Sequence, residues 1–157
     1  MALGPGDRAP DFSLPPAPGP EKISLSQHRG EHNVVLLFLP LAYSSVCTDE
    51  VCRVAEDLGA WSDLDAVVLG LSVDSPFVTA RFAEDTGAGF PILSDFNKEA
   101  MTAYGVVYDD FFGLKGVAKR SAFVVDKAGV IRYAWVTDDS AELPDLAAIR
   151  TALEGLD

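Results

Sequence analysis

Runs of apolar residues along the chain predict the strands of a buried sheet. The runs at residues 34–39 and 66–73 are almost uniformly apolar, which is typical of strands covered on both faces. A shorter run at residues 90–95 predicts a third strand that ends in a capping residue. Residues 122–126 and 130–136 are rich in β-forming side chains and flank a short turn with a glycine, so they predict an antiparallel hairpin.

Apolar positions with helical spacing lie between these strands. From about residue 44 to residue 61 they recur every three or four positions, which predicts an amphipathic helix. Residues 74–76 combine candidate N-caps with a proline suited to the first turn of a second helix. Residues 98–104, followed by Gly105, predict a third helix with its stop signal. Residues 144–156 predict a fourth helix at the end of the chain.

The N-terminal stretch predicts an extended arm. Prolines at positions 5, 10, 15, 16 and 18 interrupt both helices and strand ladders. Residues 11–14 form a short strand candidate, and residues 22–26 form a second edge element that can pair with it. Strands that alternate with helices and end in a hairpin predict an α/β protein, with a central mixed sheet, helices on both faces and an N-terminal arm or hairpin.

Composition and charge narrow the class of partner. A chain of 157 residues with 48% hydrophobic content fits a single domain, 1–157, with a substantial core. The net charge of −12 opposes binding to nucleic-acid phosphates and to anionic membranes. The N-terminal segment lacks the features of a signal peptide, and no run approaches the roughly 20 apolar residues that span a bilayer. We therefore expect a cytoplasmic protein whose partners are small molecules or proteins.

The two cysteines, Cys47 and Cys52, lie just beyond the strand at residues 34–39. The predicted helix places Cys47 in its first turn. Unpaired backbone N–H groups and the positive end of the helix dipole favour thiolate over thiol there, and the thiolate is the reactive species. The competing interpretation of Cys47 is a small apolar residue buried in the core.

The residues around Cys47 favour chemistry over packing. Pro40 stiffens the approach to the helix, and Ser44 offers a hydroxyl one turn before the sulfur. Thr48 and Glu50 add polar groups where a core helix would not need them. An ordinary N-cap role for Ser44 is equally compatible with the sequence, and both roles can coexist.

Helix geometry separates Cys52 from Cys47. On an unbroken helix the two residues are rotated by about 140° and displaced by about 7.5 Å along the axis. Their Cα atoms then lie further apart than the roughly 7 Å limit for a disulfide, so a bond requires at least one turn to unwind. A transient disulfide is compatible with a reducing compartment, whereas a stable one is not expected there. A buried position on the core face is the alternative for Cys52.

Metal and nucleotide sites are poorly supported. Two cysteines with this spacing supply at most half of a zinc set, and neither a CxxC nor a paired CxxxH motif accompanies them. His28 and His32 stand four residues apart, but Gly30 predicts a turn between them, so we expect two surface histidines. The chain has neither a GxGxxG nor a Walker motif. The expectation is an active site without metal or cofactor.

The string Pro40-x-x-x-Ser44-x-x-Cys47 resembles the active-site pattern of the peroxiredoxins. Three further segments are similar to motifs of that family: Ala9-Pro10-Asp11-Phe12-Ser13-Leu14, Phe90-Pro91-Ile92-Leu93-Ser94-Asp95 and Arg120-Ser-Ala-Phe-Val-Val-Asp126. Residues 40–44 and 104–106 are most similar to the actinobacterial alkyl hydroperoxide reductase E group. The Cys-x4-Cys spacing is also similar to the bacterioferritin-comigratory, or Q, type.

This resemblance implies a thioredoxin-like fold and an active site built on Cys47. The thiolate would attack the O–O bond of hydrogen peroxide or an organic hydroperoxide and become a sulfenic acid. Arg120 would stabilise the thiolate and donate hydrogen bonds to the peroxide. The Ser44 hydroxyl would bond the sulfur or the peroxide, Pro40 would shield the pocket, and Glu50 would support the arginine.

The resemblance also gives Cys52 a role. Outside thiols resolve the sulfenic acid in one-cysteine members of the E group. By similarity to the Cys-x4-Cys enzymes, Cys52 would instead condense with the sulfenic acid of Cys47. A thioredoxin- or mycoredoxin-like reductant would then restore both thiols. The family resemblance further implies a homodimer.

Several alternatives stay open at the level of sequence. The same sulfenic acid chemistry could serve a peroxide-sensing switch that binds a partner and does not turn over. A thioredoxin-like disulfide reductase fits less well, because such enzymes use a CxxC motif. Arg120 could be a surface cation paired with Asp109 or Asp110. Phe111 and Phe112 could form a dimer contact, a substrate wall or a locally buried loop.

Overall fold

The structure is a computed structural model that describes residues 2–156. Its strands are β1 (Ser13–Leu14), β2 (Ile23–Ser24), β3 (Asn33–Phe38), β4 (Ala66–Ser72), β5 (Ile92–Ser94), β6 (Ser121–Val125) and β7 (Ile131–Val136). Its helices are α1 (Ser45–Ser62), α2 (Pro76–Thr86), α3 (Glu99–Tyr104) and α4 (Leu146–Glu154), with a short 3-10 helix at Leu25–His28. Each predicted strand and helix is present, and several are slightly shorter than predicted.

The main sheet has five strands in the order β5-β4-β3-β6-β7. β3 is parallel to β4 and antiparallel to β6, so the sheet is mixed, as predicted. β6 and β7 form the predicted antiparallel hairpin. β1 and β2 pair with each other in a separate two-stranded sheet, which confirms the N-terminal hairpin.

The sheet is covered on both faces. All six residues of β3 are buried, and alternate positions point into two apolar layers. One layer includes Phe12 of the N-terminal arm and Tyr104 of α3, together with Leu36. The other layer includes side chains from the remaining three helices, such as Val54, Phe82 and Ile149. Helices on both faces of a central sheet were predicted, and this prediction is confirmed.

The strand register brings the start of α1 next to the start of β6. In the antiparallel β3–β6 pair, Phe38 at the end of β3 lies opposite Ser121 at the start of β6. Pro40 follows two residues after Phe38 and is buried, and α1 begins shortly after it. Residue 120 therefore reaches the helix N-terminus from across the sheet, although it lies more than 70 positions further along the chain.

Within residues 2–156, none of the helices is both long and apolar enough to cross a membrane.

Candidate active site

The N-terminus of α1 is built by Ser44. Its hydroxyl oxygen accepts a hydrogen bond from the backbone N–H of Cys47 at 3.3 Å and donates to the carbonyl of Leu41 at 3.1 Å. The Thr48 N–H donates to the Ser44 carbonyl at 2.9 Å and so begins the helical ladder. The N-cap reading of Ser44 is therefore correct, and Cys47 lies in the first turn as predicted.

Cys47 is fully buried, with no exposed fraction. Apolar residues of the sheet and of α1 surround it, among them Leu37, Leu39 and Val51. Its sulfur nevertheless receives a hydrogen bond from Nη1 of Arg120 at 3.3 Å. Cys47 is therefore buried among apolar residues, as one interpretation predicted, and its sulfur also contacts a cation, as a reactive thiolate requires. A dissolved molecule can reach this sulfur only if part of the surrounding wall moves.

Arg120 is 1% exposed and lies directly before β6. Nη1 donates both to Cys47 Sγ and to Oε1 of Glu50, the latter at 2.9 Å. Nε and Nη2 donate to the carbonyl oxygen of Ser140, at 3.2 and 3.0 Å. The surface pairing with Asp109 or Asp110 is therefore wrong, because the guanidinium lies inside the protein and has three buried or half-buried partners.

The guanidinium keeps its charge in this setting. Burial alone would lower the pKa of Arg120, but the acidic side chains of Cys47 and Glu50 beside it outweigh that effect and raise the pKa above its ordinary value. A fixed positive charge at 3.3 Å from a sulfur stabilises a thiolate over a thiol, because little water is present to screen it. The same N–H groups can stabilise negative charge on an oxygen that replaces one of their present acceptors.

Glu50 is the third buried polar group, with 1% of the residue exposed. Within the described part of the chain, its Oε2 atom has no hydrogen-bond partner. Burial raises the pKa of Glu50 to about 7, although the charge and hydrogen bond of Arg120 pull it down. The sequence offered only its unexpected polarity on a core helix as a signal. The ion pair with Arg120 joins residues 70 positions apart.

The loop between β3 and α1 is held by two aspartates. Oδ2 of Asp74 accepts hydrogen bonds from the Ala42 N–H at 2.7 Å and from the Ser72 hydroxyl at 2.8 Å. The Tyr43 hydroxyl donates to Oδ2 of Asp85 at 2.8 Å. The sequence pointed to Asp74 only as a candidate N-cap, a position that Ser75 occupies instead. The carboxylate of Asp74 ties the loop to the end of β4.

The backbone of this loop turns sharply at Tyr43. This residue has a φ of 68°, in the left-handed region that side chains other than glycine rarely adopt. Its ring packs against Phe82 of α2 with centroids 5.0 Å apart. The strained residue is thus held by a ring contact and by the hydrogen bond to Asp85.

Cys52 lies on the same continuous helix as Cys47. Cys52 is half-buried, Cys47 is buried, and both thiols are free. Because α1 runs from Ser45 to Ser62, both cysteines have helical backbone, which is the arrangement that the predicted separation assumes.

Two further predictions concern side chains away from this cluster. Phe111 is half-buried but Phe112 is 87% exposed, so the locally buried loop is wrong for Phe112. His28 ends a short 3-10 helix and His32 follows a turn, and both are half-buried. Among residues 2–156, no group of three or more histidine, cysteine or carboxylate side chains could hold a metal ion.

Several known proteins are similar in sequence to this chain. Residues 5–134 match the model of the AhpC/TSA family. Alkyl hydroperoxide reductase E of Mycobacterium tuberculosis is 36% identical over 134 residues, which cover 84% of each chain. A chloroplastic 2-cysteine peroxiredoxin of Chattonella marina var. antiqua is 33% identical over 147 residues, covering 88% of this chain and 73% of that protein.

A solved structure extends the likeness to three dimensions. The crystal structure of peroxidoxin BcpB from Mycobacterium tuberculosis has a TM-score of 0.81 and 28% identity, covering 97% of this chain and 95% of the other. The mixed sheet with helices on both faces is the thioredoxin fold of these neighbours, as the resemblance implied. With its family match over most of its length and relatives above 30% identity, this chain belongs to the AhpC/TSA family and is a peroxiredoxin.

Proposed function

We propose that this peroxiredoxin reduces hydrogen peroxide and organic hydroperoxides through a sulfenic acid at Cys47. The observation that carries the proposal is the 3.3 Å contact between Nη1 of Arg120 and the buried sulfur of Cys47. The thiolate attacks one peroxide oxygen, the O–O bond breaks, and an alcohol or water leaves. The name of the E-type relative, an alkyl hydroperoxide reductase, supports an organic hydroperoxide among the substrates.

The neighbouring residues prepare this attack. Arg120 stabilises the thiolate and then the charge that develops on the leaving oxygen. Ser44 fixes the first turn of α1 and thereby the position of the sulfur. Pro40, buried at the end of β3, excludes water from one side of the site. Glu50 holds Arg120 in place by accepting a hydrogen bond from its Nη1 at 2.9 Å.

Turnover distinguishes an enzyme from a peroxide-sensing switch. The test measures peroxide consumption by the purified protein in the presence of excess dithiothreitol. Consumption that continues for many equivalents per chain supports the proposal. Loss of only one equivalent per chain, although the reductant is still present, would favour the switch that binds a partner.

We further propose that Cys52 resolves the sulfenic acid within the same chain. Condensation of the two side chains gives a disulfide and water, and a thioredoxin- or mycoredoxin-like reductant then restores both thiols. Support comes from the half-buried, free thiol of Cys52 on the same helix. The first turns of α1 must unwind in each cycle, because helical geometry keeps the sulfurs apart. The setting proposed is a homodimer of single-domain chains, 1–157, in the cytoplasm.

Replacing Cys52 with serine tests this resolving role. After one equivalent of peroxide, we expect the wild type to contain a Cys47–Cys52 disulfide and the variant to stop at a sulfenic acid that dimedone traps. Peptide mass mapping without reduction measures both products. A stalled sulfenic acid in the wild type would assign resolution to an outside thiol, as would an intermolecular link between two copies of Cys47.

The hydrogen bonds that Asp74 accepts from the loop before α1 should slow the unwinding of this helix. Replacing Asp74 with alanine removes the acceptor of the Ala42 N–H and of the Ser72 hydroxyl. Loss of hydrogen bonds to a charged group costs about 1.5–3 kcal/mol, so we expect disulfide formation to accelerate roughly 10- to 100-fold. Stopped-flow tryptophan fluorescence after oxidation follows this step.

The matched control for this variant is Asp63→Ala, because Asp63 is exposed and lies at the far end of α1. We expect its rate of disulfide formation to equal that of the wild type. Equal rates in Asp74→Ala and wild type would show that the loop contact does not limit opening.

A further inference from the structure

The buried cluster of Cys47, Glu50 and Arg120 has two potential anions and one cation. Nη1 of Arg120 carries two N–H groups and donates to both Cys47 Sγ and Glu50 Oε1, so the two acidic groups share one cation. All three residues are at most 1% exposed. If the thiol and the carboxyl were both ionised, the site would carry a net negative charge without water to stabilise it, which is strongly unfavourable.

The surroundings of Glu50 do not supply a second buried cation. A small cavity lies beside Glu50, and the cation among its described lining residues is Arg53. Arg53 is 61% exposed and pairs with Asp49 at 3.1 Å. From the segment before α4 and from α4 itself, the cavity is lined by Leu143, Pro144 and Leu146, which are uncharged. The carbonyl of Ser140 faces Arg120, not Glu50.

We propose that Glu50 carries a proton while Cys47 is a thiolate, and gives it up when Cys47 is oxidised. This inference rests on the proposed attack by Cys47. Before the step, the charges are Arg120 positive, Cys47 negative and Glu50 neutral. After it, Arg120 is positive, the sulfenic acid is neutral and Glu50 is negative. The buried site therefore contains one cation and one anion at both stages.

Oxidation of Cys47 moves one proton from Glu50 to the leaving oxygen. The thiolate of Cys47 bonds to the terminal peroxide oxygen. That oxygen keeps its hydrogen, so the sulfur is oxidised to S–OH. The O–O bond breaks, and its electron pair leaves with the other oxygen as an alkoxide or hydroxide. The proton of Glu50 ends on that leaving oxygen, which becomes an alcohol or water. Reduction of the later disulfide by a dithiol delivers two protons: one ends on the Cys52 thiol, Cys47 returns as a thiolate, and the other proton restores Glu50.

The small cavity beside Glu50 provides a place for that restoring proton to enter. It has a volume of about 10 Å³ and lies between Glu50 and the exposed Arg53. This is close to the smallest volume that can hold one water molecule. Oε2 of Glu50, which has no protein partner within the described residues, is free to bond such a water. Burial, which raises the pKa of Glu50 to about 7, keeps the group able to exchange its proton near neutral pH.

Infrared difference spectroscopy of the wild type tests the proposal directly. Reduced protein at about pH 6 is oxidised with one equivalent of peroxide, and the spectra before and after are subtracted. We expect the C=O band of a protonated carboxyl to disappear. This difference band should shift when the protein contains carbon-13-labelled glutamate, and it should be absent from the spectrum of Glu50→Gln. The spectrum of Glu56→Gln, which alters an exposed residue of the same helix, should show the same band as the wild type.

Proton uptake gives a second, independent measurement. A pH indicator in stopped-flow oxidation should report well below one proton taken up per wild-type chain, because Glu50 supplies it. In Glu50→Gln the proton comes from solvent, so uptake should rise to about one. One proton per chain in the wild type, or a difference spectrum without the glutamate band, would overturn the inference.

Trapping with dimedone in the same samples separates the two levels of the proposal. A Cys47 adduct or a Cys47–Cys52 disulfide, together with full proton uptake, would contradict only the role of Glu50. A Cys47 that yields neither an adduct nor a disulfide with Cys52 would contradict the proposed attack itself. The wild-type spectrum needs no variant, so a folding defect in Glu50→Gln would leave the test intact.

Discussion

Replacing Cys47 with serine is expected to lower the rate of peroxide reduction by roughly four orders of magnitude or more, since removal of a nucleophile has effects of this size. A serine hydroxyl does not ionise near neutral pH, even beside the Arg120 guanidinium, and oxygen does not form the stable equivalent of a sulfenic acid. Stopped-flow tryptophan fluorescence and peroxide consumption measure the loss. We expect little change in folding, because serine has nearly the same volume at this buried site.

The matched control is Cys52→Ser, which alters the other thiol of the chain. With one equivalent of peroxide this variant should react as fast as the wild type, because its attacking sulfur and Arg120 are intact. Its defect should appear only later, in the resolution step. If Cys47→Ser kept a rate within tenfold of the wild type, the attacking group would have to be Cys52 or another residue.

Much of the fold could be predicted from local sequence patterns. The uniformly apolar β3 and β4 and the three- and four-residue spacing in α1 reflect burial against the sheet, which the hydrophobic pattern records directly. The ends of elements were less predictable. α4 begins after Asp145, whose side chain caps it by accepting the Ala148 N–H, and not at Pro144.

Local sequence also predicts some features of the candidate site but not others. The first-turn position of Cys47 follows from local spacing and from the Ser44 cap, so the local sequence alone predicted it. The ion pair between Glu50 and Arg120 depends on the register of β3 with β6, which no local pattern records. The family resemblance of residues 120–126 identified Arg120 as a site residue. No sequence pattern predicted its hydrogen bonds to the Ser140 carbonyl.

Replacing Arg120 with leucine is expected to lower the rate of Cys47 oxidation about 10²- to 10³-fold, the range found when one donor to a developing oxyanion is lost. It should also destabilise the fold by about 3–5 kcal/mol, because the one anion shared between Cys47 and Glu50 would stay buried without its cation. Stopped-flow oxidation and denaturant unfolding measure the two effects separately. Arg132→Leu, at an exposed arginine of β7, should change neither by much.

The double variant Arg120→Leu with Glu50→Gln separates the chemical role of the guanidinium from its structural one. Glutamine removes one of the two buried acidic groups left without a cation, so part of the lost unfolding free energy should return. The oxidation rate should stay low, because neither side chain now presents a cation to the sulfur. Recovery of the rate together with stability would mean that Arg120 acts only by holding the fold around Cys47. Recovery of stability alone would assign the lost rate to the 3.3 Å contact between the guanidinium and the sulfur.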